Sequence, residues 1–549
     1  MTALRPAAPR NGCHILDTTL LDGARHDGID LTVADRLSIA RHLDGFGVGF
    51  LAGGRPGADP RDREFFARAR EELDLVHAQL VAHGEPAPVG TAPGRDPGIR
   101  ALLDSAAPVL TLTADADPRH PAAAPGTTPD EQLTALARSV RYLRDAGRRV
   151  FVEYGHFFDG YRADPGHATE AVRAAARAGA EVVVLRDTNG GSLPGHLTAV
   201  VRDVLAETGA RPGIHAQNDA ECAVAGTLAA VAAGATHVQC TANGYGERAG
   251  HADLFAVVAA LELKYGIPVL PEGGLRELTR VSRAVAETVR LAPATHQPYV
   301  GGSAFAHKAG LHASAIKVDP DLYQHIDPEL VGNTMRMLVS DMAGRASVEL
   351  KAKELGIEVG DDREAVGRII AQIKERERRG YTYESADASF ELLLRQELTG
   401  IREFFTVESW RCISEQYGAT AAPDEATVKL RVKDDRAIAT AEGSGPADAL
   451  AAALRDALEP YYPGVSRLRL RDCDVRLPGH GSGAGSPATV LVTLADEHGT
   501  WTTVGVHPDL VSASFRALHE GYVYGLLRSE EFLTGVRSGP SAPRPRSAR

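Results

Sequence analysis

The first half of the chain alternates between two patterns of hydrophobic and polar residues. Short runs rich in Val, Ile, Leu and Ala are typical of buried parallel strands, and the segments between them place Ala, Leu and Arg at helical spacing. The predicted strands are 13–20, 48–54, 75–82, 109–114, 150–154, 181–186, 212–216 and 236–241. Eight such strand–helix units over about 250 residues predict a (β/α)8 barrel with its chemistry at the C-terminal strand ends. A doubly wound parallel sheet is the alternative that periodicity alone leaves open.

The pattern changes after the barrel, which indicates further domains. Helical spacing dominates the middle of the chain, and from Ala426 onward short strands such as ATVKLRV and ATVLVTLAD flank a helical ALAAALRDAL. The fold class is therefore α/β, a TIM barrel followed by a helical subdomain and a C-terminal α/β domain. The predicted boundaries are a disordered N-terminus at 1–11, the barrel at 12–275, helical lid or connector segments at 276–415, the C-terminal domain at 425–531 and a disordered tail at 532–549.

Composition narrows the class of protein. Of the 549 residues, 44% are hydrophobic and 24% charged, and no apolar run reaches the length of a membrane helix. The five cysteines are scattered and odd in number, which favours reduced thiols and a cytoplasmic location. A net charge of -12 argues against nucleic acid as a partner. We therefore expect small-molecule partners and neither a nucleic acid nor a membrane.

Several motifs together resemble one enzyme family. LDTTLLDGARHDG begins at Leu16, and the motifs that follow it in order are HFFDGY, DTNGG, NGYGERAG, SAFAHKAGLHASA, YQHIDPELVGN, AEGSGPADAL and TTVGV. They resemble the citramalate synthase subgroup of the DRE-TIM metallolyases, which also includes the 2-isopropylmalate and homocitrate synthases. The resemblance covers nearly the whole chain, and it likens the C-terminal domain to that family's regulatory, amino-acid-binding domain.

The resemblance implies an acyltransferase of branched-chain amino-acid biosynthesis. In that family a divalent metal holds a 2-oxo acid, acetyl-CoA loses a methyl proton, the enolate attacks the keto carbon, and thioester hydrolysis follows. It also implies a homodimer. The cofactor expectations are acetyl-CoA as co-substrate and a divalent metal, with Mg2+ or Mn2+ favoured and Zn2+ left open.

Four residues match the family's metal site. Asp22 matches a ligand at the end of the first strand, and His215 matches the first histidine of an H-x-H-N-D motif. Gln217 stands at the second histidine, and Asn243 would complete the set through its amide oxygen. Oxygen donors of this kind suit hard cations such as Mg2+ better than Zn2+.

Other residues match positions that contact substrate. Thr188 matches the hydroxyl that binds the carboxylate of the 2-oxo acid. His312 and Tyr323 match residues that assist proton transfer, since a histidine is easily poised near neutral pH. His307, in the same loop region, is expected to meet acyl-CoA.

The chain departs from the family pattern on the predicted catalytic face. Leu21 stands where the family has a catalytic Arg, and Ala52 and Gly155 stand where it has acidic residues. Losing one donor that stabilises an oxyanion typically costs about 100- to 1000-fold in rate. The departures leave two alternatives open: a diverged metal-dependent aldol or lyase enzyme, and a non-catalytic homologue that binds a metabolite or regulates.

Three arginines replace other residues around the same face. Arg25 lies four residues after Leu21 and is expected to return a catalytic guanidinium, while Arg55 and Arg186 are expected to bind substrate. Such a pocket is richer in cations and favours a more anionic acceptor than pyruvate, which Arg binds in bidentate fashion.

Overall fold

A computed structural model describes residues 12–534, except 118, 120–125, 341, 361, 418–419, 422 and 478–485. The chain forms two compact units, each described by itself. The first runs up to Phe305 and includes Ile326–Thr334, and the second comprises Ala306–His325 and the chain from Met335 onward. The predicted disorder at 1–11 and 535–549 falls outside the described residues, while 532–534 are helical.

Eight parallel strands close into a barrel in chain order. They are β1 (His14–Asp17), β2 (Phe50–Gly54), β3 (Gln79–Gly84), β4 (Val109–Asp115), β5 (Arg149–Gly155), β6 (Val182–Asp187), β7 (Pro212–Ala216) and β8 (His237–Cys240). β1 closes the barrel against β8, with His14 opposite His237 and Asp17 opposite Cys240. The predicted barrel is confirmed, and the doubly wound sheet is excluded.

Ten helices accompany the barrel strands in the part of the chain that the structure describes. They are α1 (Val33–Phe46), α2 (Pro60–Glu72), α3 (Pro97–Asp104), α4 (Pro129–Asp145), α5 (Phe157–Ala163), α6 (Pro165–Ala178), α7 (Pro194–Thr208), α8 (Ala223–Ala233), α9 (Leu254–Leu263) and α10 (Leu278–Val289). Local sequence sets their starts: α1 begins with a capping box of Thr32 and Asp35. α10 packs on α1, so the predicted boundary at residue 275 falls inside the first unit.

The second unit contains both helices and strands. Its helices are α11 (Gly310–Val318), α12 (Arg345–Glu354), α13 (Arg363–Arg378), α14 (Asp387–Leu398), α15 (Pro446–Leu458) and α16 (Leu510–Thr534). Its strands are β9 (Ala306–His307), β10 (Arg336–Met337), β11 (Thr406–Ile413), β12 (Gln416–Tyr417), β13 (Thr420–Ala421), β14 (Asp424–Val432), β15 (Asp435–Gly443), β16 (Arg469–Arg476), β17 (Ala488–Asp496) and β18 (Gly499–His507).

Two antiparallel sheets of three strands form the C-terminal part, in the orders β11-β14-β15 and β16-β17-β18. α15 packs on β14 and β15, and α16 packs on β17 and β18, because each helix turns an apolar face to its sheet. Within this core the Trp501 indole donates a hydrogen bond to the Gly521 carbonyl at 3.1 Å. The observed elements confirm the predicted helical and C-terminal α/β architecture. All five cysteines are free.

Candidate active site

An apolar floor lies inside the barrel and carries polar groups above it. The floor consists of Leu16, Phe50, Ala52, Val81, Val109, Phe151, Val182 and Val184, with Leu21 packed beside them. Because side chains two residues apart on a strand face the same side, the next inward positions toward the C-terminal ends include His83, Glu153 and Arg186. We use "mouth cluster" for the buried polar set at this end, which comprises Asp22, His83, Glu153, Arg186, His215, Gln239 and His251.

Arg186 is the central cation of the mouth cluster. The residue is 8% exposed, and its Nη1 forms an ion pair and hydrogen bond with Glu153. Its Nη2 lies 3.5 Å from Oδ1 of Asp22 and 3.3 Å from Nε2 of His215. Burial alone would lower the pKa of Arg186, but the carboxylates of Glu153 and Asp22 raise it above its usual value. Arg186 therefore faces into the barrel and remains charged.

Asp22 lies in the loop that follows β1, and its neighbours keep its carboxylate ionised. Burial would raise its pKa, but Arg186, His215, His251 and Arg25 together hold that pKa well below its usual range. Nη1 of Arg25 lies 3.8 Å from Oδ1, on a side chain that is 47% exposed. The carboxylate thus joins a buried guanidinium to one at the rim.

The hydrogen bonds of His215 fix its tautomer. The Gln239 amide donates to Oε2 of Glu153 at 3.5 Å, so its oxygen faces Nδ1 of His215 at 2.7 Å. Nδ1 must then carry the hydrogen, which leaves Nε2 as the acceptor of a neutral imidazole. Burial, the largest cause, and then Arg186 and His251 lower the pKa of His215 well below its ordinary value. Nε2 accepts from Arg186 and, at 2.8 Å, from Nδ1 of His251.

These side chains do not fit a bound divalent ion. The two predicted donors Asp22 and His215 already accept hydrogen bonds or ion pairs from Arg186, which contacts both through one nitrogen. A divalent ion about 4 Å from a guanidinium would be repelled by roughly 8 kcal/mol at an effective dielectric constant of about 20. Within the described ranges, no group of three or more His, Cys, Asp or Glu side chains is arranged to hold a metal ion.

The other two predicted ligands are occupied by different partners. The Gln217 amide oxygen accepts a hydrogen bond from Arg248. The Asn243 amide oxygen accepts from Oγ of Ser282 at 2.6 Å and from Nε2 of Gln297 at 3.1 Å. Neither amide oxygen joins Asp22 and His215, so the predicted four-residue metal site is not assembled.

His251 is a member of the mouth cluster that sequence reasoning missed. It follows the NGYGERAG motif directly, and its backbone pairs opposite Gln217 in an isolated bridge. Gln217 stands at the position that matches the family's second histidine, and His251 supplies an imidazole from the segment that pairs with it. Burial, partly opposed by Asp22, lowers the pKa of His251 to about 4. The signal available in the sequence was a glutamine at the second histidine position of the H-x-H-N-D motif together with a histidine directly after NGYGERAG.

His83 lies beside the central ion pair. Its Nε2 is 3.8 Å from Oε2 of Glu153, and neither ring nitrogen has a hydrogen-bond partner among the described residues. Burial, the largest cause, lowers its pKa to about 4 despite Glu153. The neutral ring and the Nε of Arg186, which is also buried without a partner, leave polar atoms available to a ligand.

The rim carries the remaining predicted binding residues of the first unit. The Arg55 side chain is 28% exposed and forms an ion pair with Glu85 at 3.6 Å. The Thr188 hydroxyl accepts a hydrogen bond from the His156 amide at 2.8 Å, which leaves its own hydrogen to donate. Arg55 and Thr188 as substrate-binding residues stay predictions that these positions permit.

The predicted proton-transfer residues belong to the second unit. His312 and Tyr323 stack with ring centroids 4.1 Å apart, and His307 contacts His312 edge-on at 6.3 Å. Burial, and after it His312, lowers the pKa of His307. The structure brings these three residues together, and their catalytic and binding roles stay predictions.

The departures from the family pattern have structural counterparts. Leu21 and Ala52 both belong to the apolar floor, so the charges expected there are replaced by packing. On β5, Gly155 stands where the family pattern has an acidic residue. A Cβ on Gly155 would lie 2.6 Å from Oδ1 of Asp115 on the neighbouring strand. Glu153 lies one inward position deeper on β5. The buried carboxylate of β5 is therefore at position 153 and not at position 155.

Comparisons with known proteins agree with this architecture. Residues 13–285 match the HMGL-like family model, 299–380 match a homocitrate synthase post-HMGL domain-like model, and 384–526 match the LeuA allosteric (dimerisation) domain. An (R)-citramalate synthase of Streptomyces coelicolor is 63% identical over 517 residues, 94% of this chain and 97% of the relative. The chain belongs to the citramalate and isopropylmalate synthase family.

More distant relatives extend the comparison. An (R)-citramalate synthase of Geobacter sulfurreducens is 40% identical over 94% of this chain and 98% of its own. Among solved structures, an HMG-CoA lyase of Bacillus subtilis covers 52% of this chain and 97% of its own, at 16% identity and a TM-score of 0.44. Membership of the family suggests a divalent metal and acetyl-CoA, and the mouth cluster departs from that suggestion at the metal. Every helix in the described ranges is too short or too polar to traverse a bilayer.

Proposed function

We propose that this chain is an acyltransferase that condenses acetyl-CoA with a 2-oxo acid. The observation that carries the proposal is 63% identity to an (R)-citramalate synthase over 94% of the chain. In the balanced reaction the acetyl methyl group loses a proton, its carbon bonds to the keto carbon, and the resulting alkoxide takes up a proton. Water then cleaves the thioester to release CoA and a 2-alkylmalate. The similarity favours this reaction over a lyase and over a non-catalytic role.

The residues of this chain supply fixed charge for that reaction. The alkoxide and the carboxylate of the acid need positive charge, which the guanidinium groups of Arg186 and Arg25 beside Asp22 provide. The Thr188 hydroxyl would bind the acid's carboxylate, and His312 with Tyr323 would assist proton transfer. In the family the bound metal acts as a Lewis acid, but the mouth cluster does not fit one, and the preference for Mg2+ or Mn2+ has no assembled site to support it.

We propose pyruvate, or an acceptor with a further negative charge, as the 2-oxo acid. The name of the Streptomyces coelicolor relative supports pyruvate. The two rim guanidinium groups, Arg25 and Arg55, support an additional carboxylate, because a guanidinium binds a carboxylate through two parallel hydrogen bonds.

Two further proposals concern assembly and control. The match of residues 384–526 to the LeuA allosteric (dimerisation) domain supports a homodimer, which light scattering of the purified protein would measure. The same match supports feedback control by a branched-chain amino acid such as isoleucine, and inhibition of CoA release by isoleucine would test it. A cytoplasmic location stays a prediction.

One assay tests the reaction. The purified chain is incubated with acetyl-CoA and a panel of 2-oxo acids that includes pyruvate and 2-oxo diacids. Free CoA and product mass are followed together, with Mg2+, with Mn2+ and with EDTA. We expect CoA release that depends on one acid and a product that carries the added acetyl unit. No release with any acid, from protein that melts cooperatively, would refute the proposal.

A further inference from the structure

Arg186 lies against the two atoms to which a metal in this barrel would bind. Its Nη2 is 3.3 Å from Nε2 of His215 and 3.5 Å from Oδ1 of Asp22. The carboxylate and the imidazole are the two strongest donors of the predicted metal site. One guanidinium nitrogen therefore contacts both of them at once.

Protein donors already face two of the atoms that a metal would need, Nε2 of His215 and Oδ1 of Asp22. The Gln239 amide requires Nδ1 of His215 to carry its hydrogen, so Nε2 has a single lone pair, which faces Arg186 and Nδ1 of His251. Oδ1 of Asp22 lies 3.5 Å from Nη2 of Arg186 and 3.8 Å from Nη1 of Arg25. Donors of the protein therefore occupy the side of both residues on which a shared metal would contact these two atoms.

The guanidinium of Arg186 also offsets part of the carboxylate charge in the cluster. Arg186 contributes one positive charge between the carboxylates of Glu153 and Asp22, and all three residues are buried. Buried carboxylates of this kind are stable only when paired. The ion pair of Glu153 with Arg186 anchors the guanidinium from below, so it is a fixed part of the barrel.

We propose that the Arg186 guanidinium replaces the divalent metal in this member of the family. The barrel mouth then excludes divalent ions, and the 2-oxo acid binds to a protein cation. The Nε of Arg186 is buried without a hydrogen-bond partner among the described residues and is the donor offered to an oxygen of the acid. The statement about the acid rests on the proposed function, whereas the statement about the metal does not.

Metal binding tests the proposal without any activity measurement. Mn2+ binding to the full-length chain is measured by calorimetry and by elemental analysis after dialysis, for the natural sequence and for Arg186→Met. The matched control is Arg55→Met, which removes another arginine of the rim that does not contact Asp22 or His215. If the single variant fails to fold, the double variant Glu153→Gln with Arg186→Met is used, because it leaves the net charge of the mouth cluster unchanged.

The natural chain should bind no Mn2+ up to about 1 mM, the weak end for hard cations in proteins. Arg186→Met, alone or with Glu153→Gln, should gain one site per chain with affinity higher by at least about 100-fold, more than the change caused by an outer partner of a ligand. Adding Asp22→Asn should abolish that site, and Arg55→Met should bind none. A site in the natural chain that Asp22→Asn removes would overturn the proposal, and so would failure of both Arg186 variants to gain one.

Binding of the acid separates this inference from the proposed function. In EDTA, pyruvate or the acid identified by the assay should bind the natural chain, and Arg186→Met should weaken that binding about 10- to 100-fold, as expected for a hydrogen bond to a charged group. If no acid binds while the metal results are as expected, the proposed function fails and the replacement of the metal stands. If the acid binds only when a divalent ion is added, the replacement fails and the proposed function stands.

Discussion

The ion pair between Arg186 and Glu153 makes a sharp prediction about stability. Glu153 is 2% exposed and Arg186 is 8% exposed, so Glu153→Gln leaves a buried guanidinium without its nearest carboxylate. Removing one partner of a buried ion pair typically costs about 3 to 5 kcal/mol. Asp22 remains 3.5 Å away and partly compensates the charge, which places the expected loss near the lower end, about 3 kcal/mol.

That loss corresponds to a lower melting temperature. A domain of this size loses roughly 2 °C for each kcal/mol, so Glu153→Gln should melt about 6 °C below the natural chain. Differential scanning calorimetry at neutral pH measures the shift. The matched control is Glu72→Gln, which removes the partner of Arg68 in an exposed pair on α2 and should leave the melting temperature unchanged.

A second variant separates the buried charge from the lost contact. Glu153→Gln combined with Arg186→Met removes both charges, and replacing a buried pair by uncharged groups of similar volume is close to neutral. The double variant should therefore recover part of the lost melting temperature, because Asp22 still loses Arg186 and keeps Arg25 at 3.8 Å. A Glu153→Gln protein that melts like the natural chain would show that Arg186 does not point into the barrel, and the reasoning about the mouth cluster would be wrong.

Three further predictions concern Arg25 at the rim, Gly246 beside His251, and the buried His237. Arg25→Ala should raise the KM for the acid about 10-fold in the CoA-release assay, because one charged hydrogen bond is lost, and an unchanged KM would exclude Arg25 from the site. A Cβ on Gly246 would lie 1.9 Å from Cδ2 of His251, so Gly246→Ala should lower kcat and the melting temperature, while Gly195→Ala, with nothing within 4 Å of its Cβ, should do neither. Burial lowers the pKa of His237 to about 3, so the unfolded chain binds a proton that the folded chain does not, and this contribution to stability is full above about pH 6.5 and is lost as the pH falls toward 3. His237→Leu should reduce the slope of the free energy of unfolding against pH by about 1.4 kcal/mol per pH unit in that window. An unchanged slope would show that the lowered pKa of His237 is not a source of the pH dependence.

The barrel was predictable because each of its strands is a separate apolar run. All eight predicted runs overlap observed strands, and these strands close into a barrel in chain order. Alternation along β6 also predicts that Arg186 faces the same side as Val182 and Val184, which both belong to the floor. That this shared face is the barrel interior comes from the structure, because β6 is buried along its whole length.

The partners of the Arg186 side chain were not contained in the sequence. Arg186 meets Glu153 and His215 because β5, β6 and β7 are neighbours with a particular register, and one sequence does not fix that register. The surroundings of Asn243 were not contained in the sequence either, since its backbone adopts the left-handed region with a φ of 55° and its amide oxygen accepts a hydrogen bond from Ser282. Motif matching carries residue identity across a family, but it does not carry the changes in neighbouring residues that redirect a side chain.

The buried pair of Arg186 and Glu153 also limits how this barrel can evolve. A change at either position alone removes the nearest countercharge of a buried residue, so each substitution on its own lowers the fraction of folded protein. A lineage in which both residues are established returns to another arrangement only by exchanging the two together or by first gaining stability elsewhere. The present chemistry of the barrel mouth is thus maintained by folding itself, even when selection on catalysis is relaxed.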